Sequence, residues 1–180
     1  MSQEEYQQHA LYSKYRGTVT DWIDPDSMGR IHANLEGVYG IKETGPVYPS
    51  TPYAGNGVGL MFVPPEGAHV WIEFERGDPS KPIYSGCFWN TKDEVPNDDD
   101  FSYPDSKMIK TEFATVILDA FSSNNNEKQK IIIKTNNSSK ITITENEIKL
   151  ELQQSTIQLN SSSVTVNGDA GTAALEVKTV

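Results

Sequence analysis

Few residues of this sequence are spaced for chemistry. Glu73 and Glu75 in "WIEFERGD" stand two apart, which sets both carboxylates on one face of a strand, as an acid/base pair needs. "NDDD" at residues 97–100 concentrates acid in the same way. Neither group has a histidine or cysteine spaced to join it, so both read as solvated surface or linker charge. His9, His32 and His69 lie far apart, and no H-x-H, H-E-x-x-H or Cys/His cluster occurs, so no metal centre is expected. Serines are plentiful, but no G-x-S-x-G elbow presents one as a nucleophile. The single cysteine, Cys87, excludes an internal disulfide, and its neighbours in "YSGCFWN" predict a small buried hydrophobe. No enzyme and no cofactor are expected.

The elements that position these residues divide by composition. Tyr, Trp, Pro and Gly crowd between Tyr12 and Tyr103, whereas the sequence beyond Lys110 is mostly Ile, Thr, Ser, Asn and Lys, which suggests two architectures joined near residue 105. The net charge is −10 and no basic stripe is present to neutralise phosphates, so nucleic acid and anionic membranes are not expected partners. Ser2 and Glu5 have capping-box spacing, which predicts a short N-terminal helix, too polar to be stable unless docked. Strands are expected over "RGTVTDWI", "RIHANLE", "VGLMFV", "AHVWIEFE" and "PIYSGCFW", with residues 37–57 as a long contact loop. Five short strands punctuated by Gly and Pro predict a small closed barrel.

The tail has a different pattern. Ile131/Ile133, Ile141/Ile143, Ile148/Leu150/Leu152, Ile157/Leu159 and Val164/Val166 place an apolar residue at every second position, each burst ending in a polar cluster. That is strand spacing with one apolar face, and no helical pattern follows to cover it. The bursts repeat every 7 to 10 residues, shorter than the coils of single-chain solenoids. The cover is therefore expected from other copies of the chain, with strand edges paired between chains.

"YRGTVTDWIDPDSMGRI" and "YAGNGVGLMFVPPEGAHVWIEFERGDPSKPIYSGCFWN" carry a resemblance in their order and spacing. The pieces are a GxV strand opening, DP followed by GR, G-x-G-x-x-F-x-P, F-E-x-G-D-P and a closing P-I-x-x-G-x-x-x-N. They resemble the OB-fold domain of the contractile-tail spike family, which includes phage baseplate assembly protein V, phage hub-and-lysozyme proteins and VgrG spikes of type VI secretion. The matching residues are Gly17, Gly29, Arg30, Gly57, Gly59, Phe62, Pro64, Gly67, Gly77, Asp78, Pro79 and Gly86. On this resemblance "RGD" at residues 76–78 is a turn and not an adhesion motif. Family members follow the OB domain with a triple-stranded β-helix, which supplies the trimer number. The sequence departs from longer members in having neither a lysozyme insertion nor a large hub domain before the barrel.

The expected protein is all-β: an N-terminal OB-fold barrel, then a short intertwined triple-stranded β-helix, as a homotrimer. The expected segments are a hub-docking arm over 1–14, the OB domain over 15–92, a linker over 93–106 and the spike over 107–180. The eleven apolar residues of the tail bursts would line the trimer axis, with Leu175, Val177 and Val180 docking a PAAR-type tip protein. Trp71 and Trp89 are expected in the barrel and intersubunit core, with Tyr48 and Tyr53 packing the long loop. The resemblance implies the central spike of a contractile injection machine, seated on a baseplate hub protein in a phage tail or related particle, that transiently pierces the target's outer membrane. The N-terminus lacks a basic leader with an apolar core, so no signal peptide is expected and synthesis is placed in the bacterial cytoplasm. The alternative reading is a non-enzymatic OB binding module for carbohydrate or nucleic acid, with a β-solenoid extension and Trp22, Tyr48, Tyr53, Trp71 and Trp89 as its aromatic platform.

Overall fold

The computed structural model describes residues 10–35, 37, 43–119 and 130–168. The chain divides into two units, Met1–Val95 and Pro96–Val180. The expected N-terminal helix falls largely on residues 1–9, outside the described residues, and residues 10–14 are not helical.

The first unit is a closed barrel of β1 (Tyr15–Asp21), β2 (Ile31–Leu35), β3 (Glu43–Pro49), β6 (His69–Phe74) and β7 (Pro82–Phe88), in the order β1-β2-β3-β7-β6. A two-residue hairpin, β4 (Ala54–Gly55) with β5 (Val58–Gly59), stands apart from it. Alternation sends Val70, Ile72 and Phe74 of β6 inward with Val19, Ile31, Ala33, Leu35, Val47 and Tyr84. Each such fully buried aliphatic side chain contributes about 1.5–3 kcal/mol relative to exposure. The buried Tyr84 hydroxyl keeps a partner by donating to the Gly29 carbonyl at 2.8 Å.

The third barrel strand differs from expectation. It is "ETGPVYP", read above as loop, while "VGLMFV" contributes only Val58–Gly59 to the small hairpin. Thr44 and Val47 face the core, and the Thr44 hydroxyl donates to the Ala33 carbonyl at 3.1 Å. Gly45 is there because the His32 ring lies against it: a Cβ would stand 2.2 Å from Nδ1. The register shift between Ile31 and Ala33 and the short parallel pairing of Tyr48 and Pro49 with β7 absorb the prolines.

The second unit is a seven-stranded antiparallel meander, β8 (Lys107–Lys110), β9 (Ala114–Leu118), β10 (Ile131–Thr135), β11 (Ser139–Ile143), β12 (Glu147–Leu152), β13 (Ser155–Asn160) and β14 (Val164–Asn167). The last five coincide with the five apolar bursts. Polar clusters between them do turn chemistry: the Asn160 side chain accepts from the backbone N–H of Ser162 and Ser163 at 3.0 and 2.9 Å. Each strand is laddered to its sequence neighbours within the chain, so the backbone pairing expected between chains is made here within one.

Candidate functional site

The register of the meander lines its apolar residues into columns. Ile109 lies across from Val116, Val116 from Ile133, Ile133 from Ile141, Ile141 from Leu150, Leu150 from Ile157 and Ile157 from Val166. One residue comes from every strand, and neighbours in such a column sit about 4.5–5.5 Å apart. Beside it runs a second column, Ile131, Ile143, Ile148, Leu159 and Val164. Ten of the eleven residues read as the trimer axis occupy these columns, and Leu152 opposes Ser155 on the same side. Ile109 and Val116 are additions that sequence reasoning missed, since each stands in a short strand with too little alternation to register.

This face has no cover among the described residues. Ile148 is 43% exposed and Leu150 37%, and a trough of about 530 Å³ runs past Ile133, Ile141, Leu150, Ile157 and Val166. The opposite face is closed in part by the segment after residue 95. Phe101 packs with Met108 against Ile117 and Ile132, both essentially inaccessible. Asp98 and Asp100, expected to be solvated, take the Lys134 ammonium at 2.5 and 2.8 Å, and Asp100 also takes Lys140 at 3.2 Å. Burial works against these carboxylates, but the lysine hydrogen bonds outweigh it and hold both below the usual range. Towards β14 the same face is polar, with Lys149 bonded to Glu151 at 2.6 Å, then Gln158 and Thr165.

On the barrel the motif residues sit at closures and turns. Gly17 lies inside between β2 and β6, Gly29 and Arg30 lead into β2, and Gly57 and Gly59 shape the small hairpin. Pro64 is buried and Gly67 turns the chain into β6. Asp78 accepts the backbone N–H of Ser80 at 3.0 Å ahead of the exposed Pro79, and Gly86 marks the register shift between β6 and β7. Gly77 needs to be glycine: its φ is +78°, and a Cβ would stand 2.9 Å from the Tyr12 ring. Leu11 donates its N–H to the Gly77 carbonyl at 2.9 Å, so this part of the N-terminal arm is fastened to the barrel's own turn. Phe62 is 64% exposed.

Other aromatics differ from expectation. Trp71 alternates outward on β6 and stacks on Phe88, with the Arg16 guanidinium over both rings, and Trp89 is exposed. Neither fills the barrel: the inward positions of β6 belong to Val70, Ile72 and Phe74, and Trp89 lies beyond the end of β7. Tyr48 and Tyr53 are exposed as well, and so is Cys87, which lines a cleft beneath the small hairpin. Leu175, Val177 and Val180 lie outside the described residues.

The carboxylates do not assemble for catalysis. Glu73 receives the Lys14 ammonium, which with Ser85 holds it below its usual range, and Glu75 belongs to an exposed single helical turn. An ionised, lysine-bound carboxylate has no proton to give. Among the described residues no group of three or more His, Cys, Asp or Glu could hold a metal, and no helix is long and apolar enough to cross a membrane.

A five-stranded closed barrel with this order, tied by Asp24–Arg30 and the G-D-P turn, is the architecture of an OB domain. Residues 15–89 match the family described as type VI secretion system/phage-baseplate injector OB domain. The barrel unit is thus similar to the injector OB domains of that family. The chain is also similar to the type VI secretion system spike protein VgrG4b of Pseudomonas aeruginosa, 33% identical over 84 residues. That match covers 44% of this chain and 10% of the relative, so the chain spans about a tenth of the length of that protein.

Proposed function

We propose that this chain is the central spike subunit of a contractile injection machine: a homotrimer whose barrel seats on a baseplate hub and whose meander forms the shaft. One observation carries the reading. An apolar column takes a residue from every strand of the sheet, from Ile109 to Val166, and lies open to solvent. Three copies turning this face to a common axis bury it completely, and the outward face is then the polar one with Lys149, Gln158 and Thr165. With backbone ladders kept inside each chain, the three sheets meet face to face. Seven strands at about 4.8 Å each make a shaft of about 30 Å.

Rigidity is then the activity. Sheath contraction drives the prism through the target's outer membrane, and no bond is made or broken by this protein. The similarity of residues 15–89 to phage-baseplate injector OB domains supports a place in the tail baseplate or an equivalent particle. In this reading a hub lies on the N-terminal side and a PAAR-type tip protein at the other end.

Sedimentation of the full chain tests this. Three times the 20.0 kDa chain mass is expected, and a stable monomer overturns the proposal. Ile148→Asp puts three charges at the axis and should abolish the trimer. Trp22, Trp71 and Trp89 all lie in the barrel unit, so their fluorescence separates lost assembly from a lost barrel fold.

A further inference from the structure

The sheet of the second unit is not built alike along its length. Residues 96–106 form a second layer over the outward face of β8, β9 and β10, and their reach ends at Lys140 of β11. Phe101 covers Ile117 and Ile132, and Lys110 donates to the Asn97 carbonyl. Ser106 ties down the end of the layer: its hydroxyl accepts the Ser102 N–H at 3.1 Å and donates to the Asp119 carbonyl at 2.9 Å. Among the described residues of this unit, Ser106, Thr115, Ile117 and Ile132 are buried, and all of them belong to this two-layered base. From Ser139 to Gly168 no residue is buried, although β12 and β13 share the longest ladder of the sheet. A single layer open on both faces has only its ladders and half-covered side chains to set against about 1–2 kcal/mol of backbone entropy per residue.

We infer that the base, residues 96–119 and 131–135, is the nucleus from which the shaft assembles. It is ordered in a single chain, β11–β14 become ordered only as three chains meet, and the shaft closes from β10 towards β14. The inference rests on the homotrimer reading. On its other face the base already presents Ile109, Val116 and Ile133, the first members of the apolar column, so a folded base carries the surface that brings chains together. Once three bases are joined, each further strand adds to one already in place, and closing the next short turn costs little entropy. Phe101 distinguishes this order from assembly that starts at the far end: it packs on the outward side and takes no part in the columns, yet its loss impedes trimer formation.

Hydrogen exchange of the full chain, followed by mass spectrometry, compares wild type with Ile148→Asp. Strand β9 lies between β8 and β10, and β12 between β11 and β13, so both have complete ladders and differ in the second layer alone. In the wild-type trimer both are protected. In monomeric Ile148→Asp, β9 should exchange at least about tenfold more slowly than β12 after correction for intrinsic rates. Refolding from urea is then followed by sedimentation. Phe101→Ser should form trimer at least about tenfold more slowly than wild type, whereas Lys149→Ser, on the outward face of β12, should match it. A monomeric variant in which β9 and β12 exchange alike overturns the inference and leaves the trimer reading standing, and so does Phe101→Ser assembling at the wild-type rate. A monomeric wild-type chain, or Ile148→Asp that remains trimeric, overturns both.

Discussion

Asp24 and Arg30 form a two-point ion pair: Nη2 donates to Oδ1 at 2.6 Å and Nε to Oδ2 at 3.1 Å. The same carboxylate accepts the backbone N–H groups of Asp26, Met28 and Arg30, so one side chain closes the whole turn between β1 and β2. The guanidinium also lies 5.6 Å from the centre of the Tyr48 ring, which ties this turn to β3.

The Arg30 hydrogen bond holds the Asp24 carboxyl far below the carboxylate range. A group whose pKa is depressed by folding stabilises fully above its unfolded value, about 4 for Asp, and loses that contribution as pH falls further. Asp24→Asn should lower the thermal midpoint by about 5 °C or more at neutral pH. It should also flatten the acid limb of the stability profile, followed by circular dichroism. A variant as stable as wild type at pH 7 contradicts the role given to this turn.

Gly77→Ala combines a left-handed backbone with a collision against Tyr12, and should cost about 1–3 kcal/mol in urea unfolding. Tyr12→Ala in the same chain should recover the steric part only. The double-mutant cycle therefore shows positive coupling with a residual loss, and full recovery would mean that the backbone conformation is not strained.

The contacts of Asp98 and Asp100 with Lys134 should make the segment at residues 96–106 sensitive to pH at both ends. Both carboxyls are depressed, so their contribution is complete above about pH 4 and fails below it. Lys134 is raised: burial disfavours its charge, but hydrogen bonds to Asp100 and Asp98 outweigh that. Its contribution is complete below about pH 10.4 and is lost above. Hydrogen exchange of this segment, corrected for intrinsic rates, should show a protected plateau between those limits, which Lys134→Met removes. Protection that is flat through pH 4 would exclude the ion pairs as its cause.

What could be read beforehand followed how openly each element showed its period. The five later strands of the meander were legible because nothing interrupts Ile148-x-Leu150-x-Leu152 and its relatives. Strand β3 was not, since Gly45 and Pro46 look like punctuation, and only the His32 ring explains the glycine. Leu60, Met61 and Phe62 misled in the opposite direction: consecutive apolar residues imply a buried strand, yet here they are surface. The apolar neighbours of Cys87 point to the interior, but the cleft below the hairpin leaves it open. Lys134, which bonds to both Asp98 and Asp100, lies more than thirty residues away, and no local pattern announces a contact at that separation.

Because every strand of the meander bonds only to the strands before and after it in sequence, its length is adjustable in steps. Two strands added at a turn such as Gln153–Gln154 restore the direction of the chain and leave every existing ladder in register. The sheet then grows by about 10 Å. A sheet built this way can be lengthened by duplicating a hairpin, with no redesign at either end.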